Sequence, residues 1–129
     1  MTYDDFILAL TVWREARGEP YNAKLGVANV IHNRVGDGRW KKTIHETCLQ
    51  RSQFSSFLPG DVNVTKFPKI SNTADWSAWK ECCKAAADPN NVVGPATHYH
   101  DISIPTPWLD MQFTRQIGHL KFFYEPVKR

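Results

Sequence analysis

Residues 2–20, TYDDFILALTVWREARGEP, decide the reading of the fold. Thr2 followed three positions later by Asp5 is an N-cap pattern, and Phe6, Leu10 and Trp13 then recur at helical spacing until Gly18 and Pro20 stop the run. A helix over about residues 3–17 is expected. On it Glu15 stands one turn beyond Thr11 and two beyond Leu8, on a partly apolar face that would desolvate a carboxylate. Glu19 falls where the helix breaks, so spacing does not say where it points. Glutamate beside arginine at a helix end is more often a surface ion pair than a catalyst.

The next apolar run gives a second helix, with Asn22 as its cap and Val27, Ala28, Ile31 and Val35 along one side, ended by Gly36-Asp37-Gly38. His32, Asn33 and Arg34 crowd its last turn and read as a solvated end that suits the helix dipole. Thr43-x-x-Glu46 is a capping box opening a short helix to about Gln50, which makes Glu46 a cap. Residues 51–71 have turn residues and little periodicity. Loops of that length are usually functional or mobile. From Thr73, Trp76, Trp79, Cys83 and Ala86 mark a buried helical seam that ends at Asp88-Pro89-Asn90.

After Gly94-Pro95 the pattern changes. ATHYHD (96–101) alternates as a strand does, HLKFFY (119–124) is rich in strand formers, and a loop with Pro105, Pro107 and Trp108 lies between them. The expected class is α+β and mainly helical, with a small antiparallel β element in the C-terminal part. With 129 residues, 42% of them apolar, and no repeat or linker tract, one domain spanning residues 1–129 is expected.

A net charge of +3, well mixed along the chain, makes no demand for a nucleic-acid partner. The apolar run Phe6 to Trp13 is too short for a membrane span and has no basic leader before it, so a chain made in the cytoplasm without stable membrane association is expected. Cys48, Cys82 and Cys83 are an odd set with two neighbours, which fits a reducing compartment. Cys82 and Cys83 lie on an apolar seam and read as inert packing, not as nucleophiles. No phosphate loop or Gly-x-Ser-x-Gly elbow occurs.

Two chemistries remain. Glycoside cleavage needs a carboxylic acid kept protonated near neutral pH, and Glu15 meets that description. Alternatively His98 and His100, two apart on a strand and so on one face, would join His119 as three zinc ligands of a metal-dependent hydrolase. The His-Tyr-His spacing suits a sugar-binding wall equally well.

The ordered set WREARGEP, GVANVIHNRV, SQFSSF, GPATHYH and GHLKFFY resembles the cell-wall hydrolase family typified by the spore cortex-lytic enzymes, over about residues 5–124. The resemblance implies a lysozyme-like or lytic-transglycosylase-like domain that cleaves β-1,4 bonds between N-acetylmuramic acid and N-acetylglucosamine in peptidoglycan, with no cofactor. The family's catalytic acid falls on Glu15, and Gln53, Phe54, Ser55, Tyr99 and His100 match its cleft motifs. His119 falls on a late Gly-Asn-His signature whose asparagine is absent here. Glu19, His98 and Trp108 complete the expected substrate-binding set, and Glu19, Asp101 and Asp110 are the candidates for a second carboxylate. A monomeric phage endolysin, made in the host cytoplasm and acting on the wall after release, is the expected biological setting.

Overall fold

The computed structural model of the chain describes residues 1–50 and 66–127. Helix α1 (Tyr3–Ala16) starts with the foreseen capping box: the Asp5 amide donates to Thr2 Oγ1, and the Thr2 amide donates to Asp5 Oδ2, both at 3.1 Å. The amphipathic reading understates this helix. Ile7 to Arg14 is buried without interruption, because α2 (Tyr21–Asp37), α3 (Ile44–Leu49) and α4 (Thr73–Ala87) all pack against it. A helix buried on every side must settle its polar groups internally, and Thr11 does so by donating from Oγ1 to the Ile7 carbonyl at 2.8 Å.

Two expectations for α2 need correction. Its cap is Pro20, not Asn22, which lies exposed one residue inside the helix. The fixed φ of Pro20 aims the chain into the helix, and its carbonyl accepts from the Ala23 and Lys24 amides. Nor is the last turn solvated as a whole. Arg34 is buried and donates from Nε to the Thr97 carbonyl at 2.6 Å, while the Asn33 side-chain amide donates to the Gly94 and Ala96 carbonyls at 2.8 Å. These side chains satisfy the carbonyls of the segment that leads into the sheet. The helix ends at Gly38, whose φ of 89° only glycine adopts without strain.

Helix α3 has its Thr43 cap, and the Glu46 side chain accepts from the Thr43 hydroxyl. In α4 the span is as expected but the seam is not. Cys82, Ala85 and Ala86 are the buried residues, whereas Trp76 is exposed and Trp79 is half-buried with its ring edge-on to Phe6. Small side chains let α4 approach α1 and α2 closely, so the tryptophans fall to the margin of the contact.

The sheet has three antiparallel strands in the order β1-β3-β2: β1 (His98–Asp101), β2 (Gln112–Ile117) and β3 (Leu120–Tyr124). β2 lies inside the stretch read as a loop from sequence. Its residues, QFTRQI, are exposed or half-buried at a sheet edge, so no buried face imposes the alternation that would have marked a strand. β3 is central and supplies Leu120, Phe122 and Phe123 to the core. One cluster of buried residues draws on α1, α2, α4 and β3, with Cys48 of α3. Among the described residues no helix is long and apolar enough to cross a membrane.

Helix and sheet meet closely at Gly26, where an added Cβ would lie 2.7 Å from Cζ of the fully buried Phe122 and 3.1 Å from Val93 Cγ1. Gly26→Ala should therefore cost stability by overpacking, about 1–3 kcal/mol, even though alanine favours helix. A denaturant midpoint equal to or above the parent's would contradict this packing.

Candidate active site

α1 delivers Glu15 on its last turn, half-buried, where the helix leaves the core. β1 brings Tyr99 to it, and the Tyr99 hydroxyl donates to Glu15 Oε1 at 3.0 Å. The Tyr99 ring rests on Phe122 at 5.9 Å between centroids, so the partner is held by core packing. Burial, and after it the charge of Glu15, push the Tyr99 phenol well above its ordinary value. It therefore stays a neutral donor.

A cavity of about 350 Å³ opens over this carboxyl, lined by Arg14, Glu15, Arg17, Glu19, Asp101 and Leu120. Two of the three candidate second carboxylates are thus at the Glu15 cavity. Asp101 accepts the Ser103 amide at 2.8 Å, and that bond first of all holds its carboxyl below the usual value, so it is ionised. Asp110 lies elsewhere, in a cavity of about 480 Å³ formed with Trp108, Leu109 and Met111.

Glu19 points at the β2–β3 turn. Its Oε1 accepts the His119 amide at 2.6 Å and its Oε2 meets His119 Nδ1 at 2.9 Å. The turn needs Gly118, at φ 58°, where a Cβ would stand 2.8 Å from both Glu19 Oε1 and Pro20 Cδ. Both Glu19 oxygens are thus engaged in latching the turn to the α1–α2 corner. The hydrogen bond from His119 to Glu19, and then the charge of Glu19, raise the His119 pKa above its ordinary value.

His98 and His100 share one face of β1, as alternation predicts, but Tyr99 points to the other. Both imidazoles pack on Trp108, at 5.2 and 5.5 Å, and His100 stacks on Phe123 at 5.2 Å. His100 Nδ1 lies 2.8 Å from the Asp101 carbonyl and Nε2 lies 3.2 Å from Thr106 Oγ1. In the neutral ring Nδ1 donates within β1 and Nε2 accepts from the Thr106 hydroxyl, and this second bond ties the 102–111 segment to β1. Burial, and then the nearby Arg34 and Arg39, push His98 down to about 4. His119 lies beside the Asp101 end of β1, where its carbonyl accepts the Ile102 amide at 2.8 Å, and its ring is held by Glu19. Among the described residues no group of three or more His, Cys, Asp or Glu could hold a metal ion, so the three-histidine zinc site does not form.

Gln53, Phe54 and Ser55 lie outside the described residues. The sequence reading assigned no role to Arg14, which is buried, donates from Nε to the Lys66 carbonyl at 3.1 Å and sets its guanidinium 4.8 Å over the Phe67 ring. A buried arginine one residue before a half-buried glutamate was the available signal. Cys48 and Cys82 are free and buried, and burial raises their thiols to about 11 and about 12, which keeps them un-ionised; for Cys82 this is the inert packing expected from sequence.

The model of the cell wall hydrolase family matches residues 18–123, a stretch that begins just after Glu15. The catalytic domain of the germination-specific lytic transglycosylase SleB from Bacillus anthracis is 25% identical with a TM-score of 0.72, over 95% of this chain and 96% of that one. The catalytic domain of the Bacillus cereus SleB protein is 26% identical with a TM-score of 0.71, over 95% of this chain and 91% of that one. No curated protein matches. The mainly helical α+β architecture expected from sequence is that of the SleB catalytic domain.

The latch gives a pH signature. A raised folded-state pKa means that the His119–Glu19 charge interaction contributes fully below the ordinary value of 6.5 and is lost as pH rises through the folded value. An NMR titration should place His119 above 6.5 in the parent protein and return it toward 6.5 in Glu19→Gln. Identical midpoints in the two proteins would rule the latch out.

Proposed function

Because the chain belongs to the cell wall hydrolase family, we propose that it cleaves the β-1,4 bond between N-acetylmuramic acid and N-acetylglucosamine in peptidoglycan, as a lytic transglycosylase. The observation that carries the residue assignment is the Tyr99 hydroxyl donating to Oε1 of Glu15, a residue that lines an open cavity. That hydrogen bond fixes the carboxyl's rotation, which general acid catalysis requires before any question of acidity arises.

In this reading Glu15 delivers its proton to the glycosidic oxygen. The C1–O bond breaks, and its electron pair stays with the departing N-acetylglucosamine O4. The muramic acetamido oxygen supports C1 as positive charge develops there. The carboxylate left on Glu15 then takes the proton of the 6-hydroxyl as O6 bonds to C1, closing a 1,6-anhydro ring and restoring the acid. One carboxyl serves both steps, and no cofactor enters.

A hydrolytic variant has one observation in its favour. Asp101 lines the same cavity and is ionised, as a second carboxylate that balances charge or orients water would be. Glu19 suits that role less, since both its oxygens are engaged by His119. The biological setting belongs to the proposal too: a monomeric, single-domain endolysin made in a reducing cytoplasm, with free buried thiols in its support.

Glu15→Gln keeps the side-chain volume but removes the transferable proton. Release of soluble fragments from purified peptidoglycan should fall by about 10²–10⁴-fold with the melting temperature retained. Tyr99→Phe should lower kcat by about tenfold and leave KM nearly unchanged, since the lost hydrogen bond orients the acid and does not bind sugar. Mass analysis of the fragments reads the reaction type: products one water lighter than the reducing-end sugars are anhydro products. Cleaved amide bonds with intact glycan strands would overturn the glycosidase reading.

A further inference from the structure

A second cavity, of about 580 Å³, adjoins the Glu15 cavity and shares Arg17 with it. Its wall is formed by Trp13, Arg17, Lys66, Phe67, Lys69 and Asp75. Among the described residues Arg17, Lys66 and Lys69 bring three cations to this lining and Asp75 one carboxylate. That carboxylate is already used locally, because Asp75 Oδ2 accepts the Lys69 amide at 3.1 Å at the start of α4. The Arg17 guanidinium sits 4.6 Å over the Trp13 ring. Trp13 itself is only 3% exposed, and its indole Nε1 is a buried donor without an acceptor among the described residues. A buried N–H left in that state is costly unless a ligand supplies the acceptor.

Basic charge, an aromatic wall and an orphaned donor beside the scissile-bond cavity describe a receptor for an anionic, acceptor-rich group. On the reading that the substrate is peptidoglycan, such groups lie on one side of every second sugar: carboxylates of the muramyl lactyl-peptide substituent. The glycan backbone is neutral. We infer that the Trp13–Lys66–Lys69 cavity is a subsite for carboxylates borne by the muramyl residue, so that the enzyme recognises acidic substituted strands over neutral amino-sugar polymers. Lys66 is well placed for this, since Arg14 fixes its backbone through the carbonyl while the side chain remains exposed. The role deepens the proposed function and rests on it.

Binding is measured in the Glu15→Gln protein, so that ligands survive. The ligands are soluble peptide-bearing glycan strands, the same strands with their carboxylates capped as neutral amides, strands stripped of peptide so that only lactyl carboxylates remain, and neutral N-acetylglucosamine oligomers. Capping should weaken binding about fivefold at low salt and much less at high salt. The Lys66→Gln/Lys69→Gln double variant should lose that preference, and Trp13→Phe, which deletes the N–H, should weaken the uncapped strands about fivefold with the fold retained by melting temperature. Retained affinity for stripped strands assigns the lactyl carboxylate as the ligand, and its loss assigns the peptide carboxylates. Equal affinity for capped and uncapped strands, or a preference untouched by the lysine substitutions, overturns the subsite. If the parent enzyme cleaves peptidoglycan normally in that case, the subsite alone has failed. If it releases no glycan fragments, the proposed function has failed and the subsite with it.

Discussion

Helix α1 has no solvent face between Ile7 and Arg14, and this constraint organises the rest of the molecule. Its side chains demand cover from several directions, which α2, α3 and α4 provide. Such a helix cannot tolerate an unsatisfied carboxylate along its middle. Its charged groups are accordingly confined to the ends, Asp4 and Asp5 in the first turn and Arg14 and Glu15 in the last. Glu15 is where the buried rod reaches a cavity. Its position is therefore set by the packed core and not by a surface loop, which holds a side chain more closely than a loop would.

The sheet is the second support, joined to the helices through side-chain-to-backbone hydrogen bonds from α2. Arg34 donates to the Thr97 carbonyl, Asn33 bridges the Gly94 and Ala96 carbonyls, and the Asn29 side chain exchanges hydrogen bonds with the Asn90 carbonyl and the Val92 amide. Together they pin residues 90–97 to α2, so β1 leaves that helix in a fixed register and Tyr99 arrives at Glu15. Burial pushes Arg34 down to about 10, still far above neutral, so this anchor keeps its charge.

What the sequence made legible follows from which constraints are local. The Thr2 and Thr43 caps, the Gly38 terminus and the apolar β3 are determined by neighbours a few residues away, and each is found as expected. β2 was missed because a polar edge strand is made by its partner, not by its own pattern. The tryptophans of α4 misled for a related reason. Size favours burial, but the close approach of α4 to its neighbours selects cysteine and alanine for the seam. His32, Asn33 and Arg34 look like a solvated helix end until the chain returns more than 60 residues later to receive the last two.

The candidate site divides along the same line. Spacing left Glu15 and Glu19 as two acids flanking an Arg-Gly pair; the family resemblance set Glu15 apart, and the fold shows where each of them points. Alternation on β1 sends Tyr99 toward the helices and His98 and His100 toward Trp108, so one four-residue strand serves two surfaces. Glu19 faces a turn whose Gly118 leaves room for a carboxylate and little else. Both oxygens of Glu19 are held, by a backbone amide and an imidazole, whereas Glu15 takes the Tyr99 hydroxyl on Oε1 and lines an open cavity. The two glutamates thus differ in their partners, which come from chain segments 84 and 100 residues away.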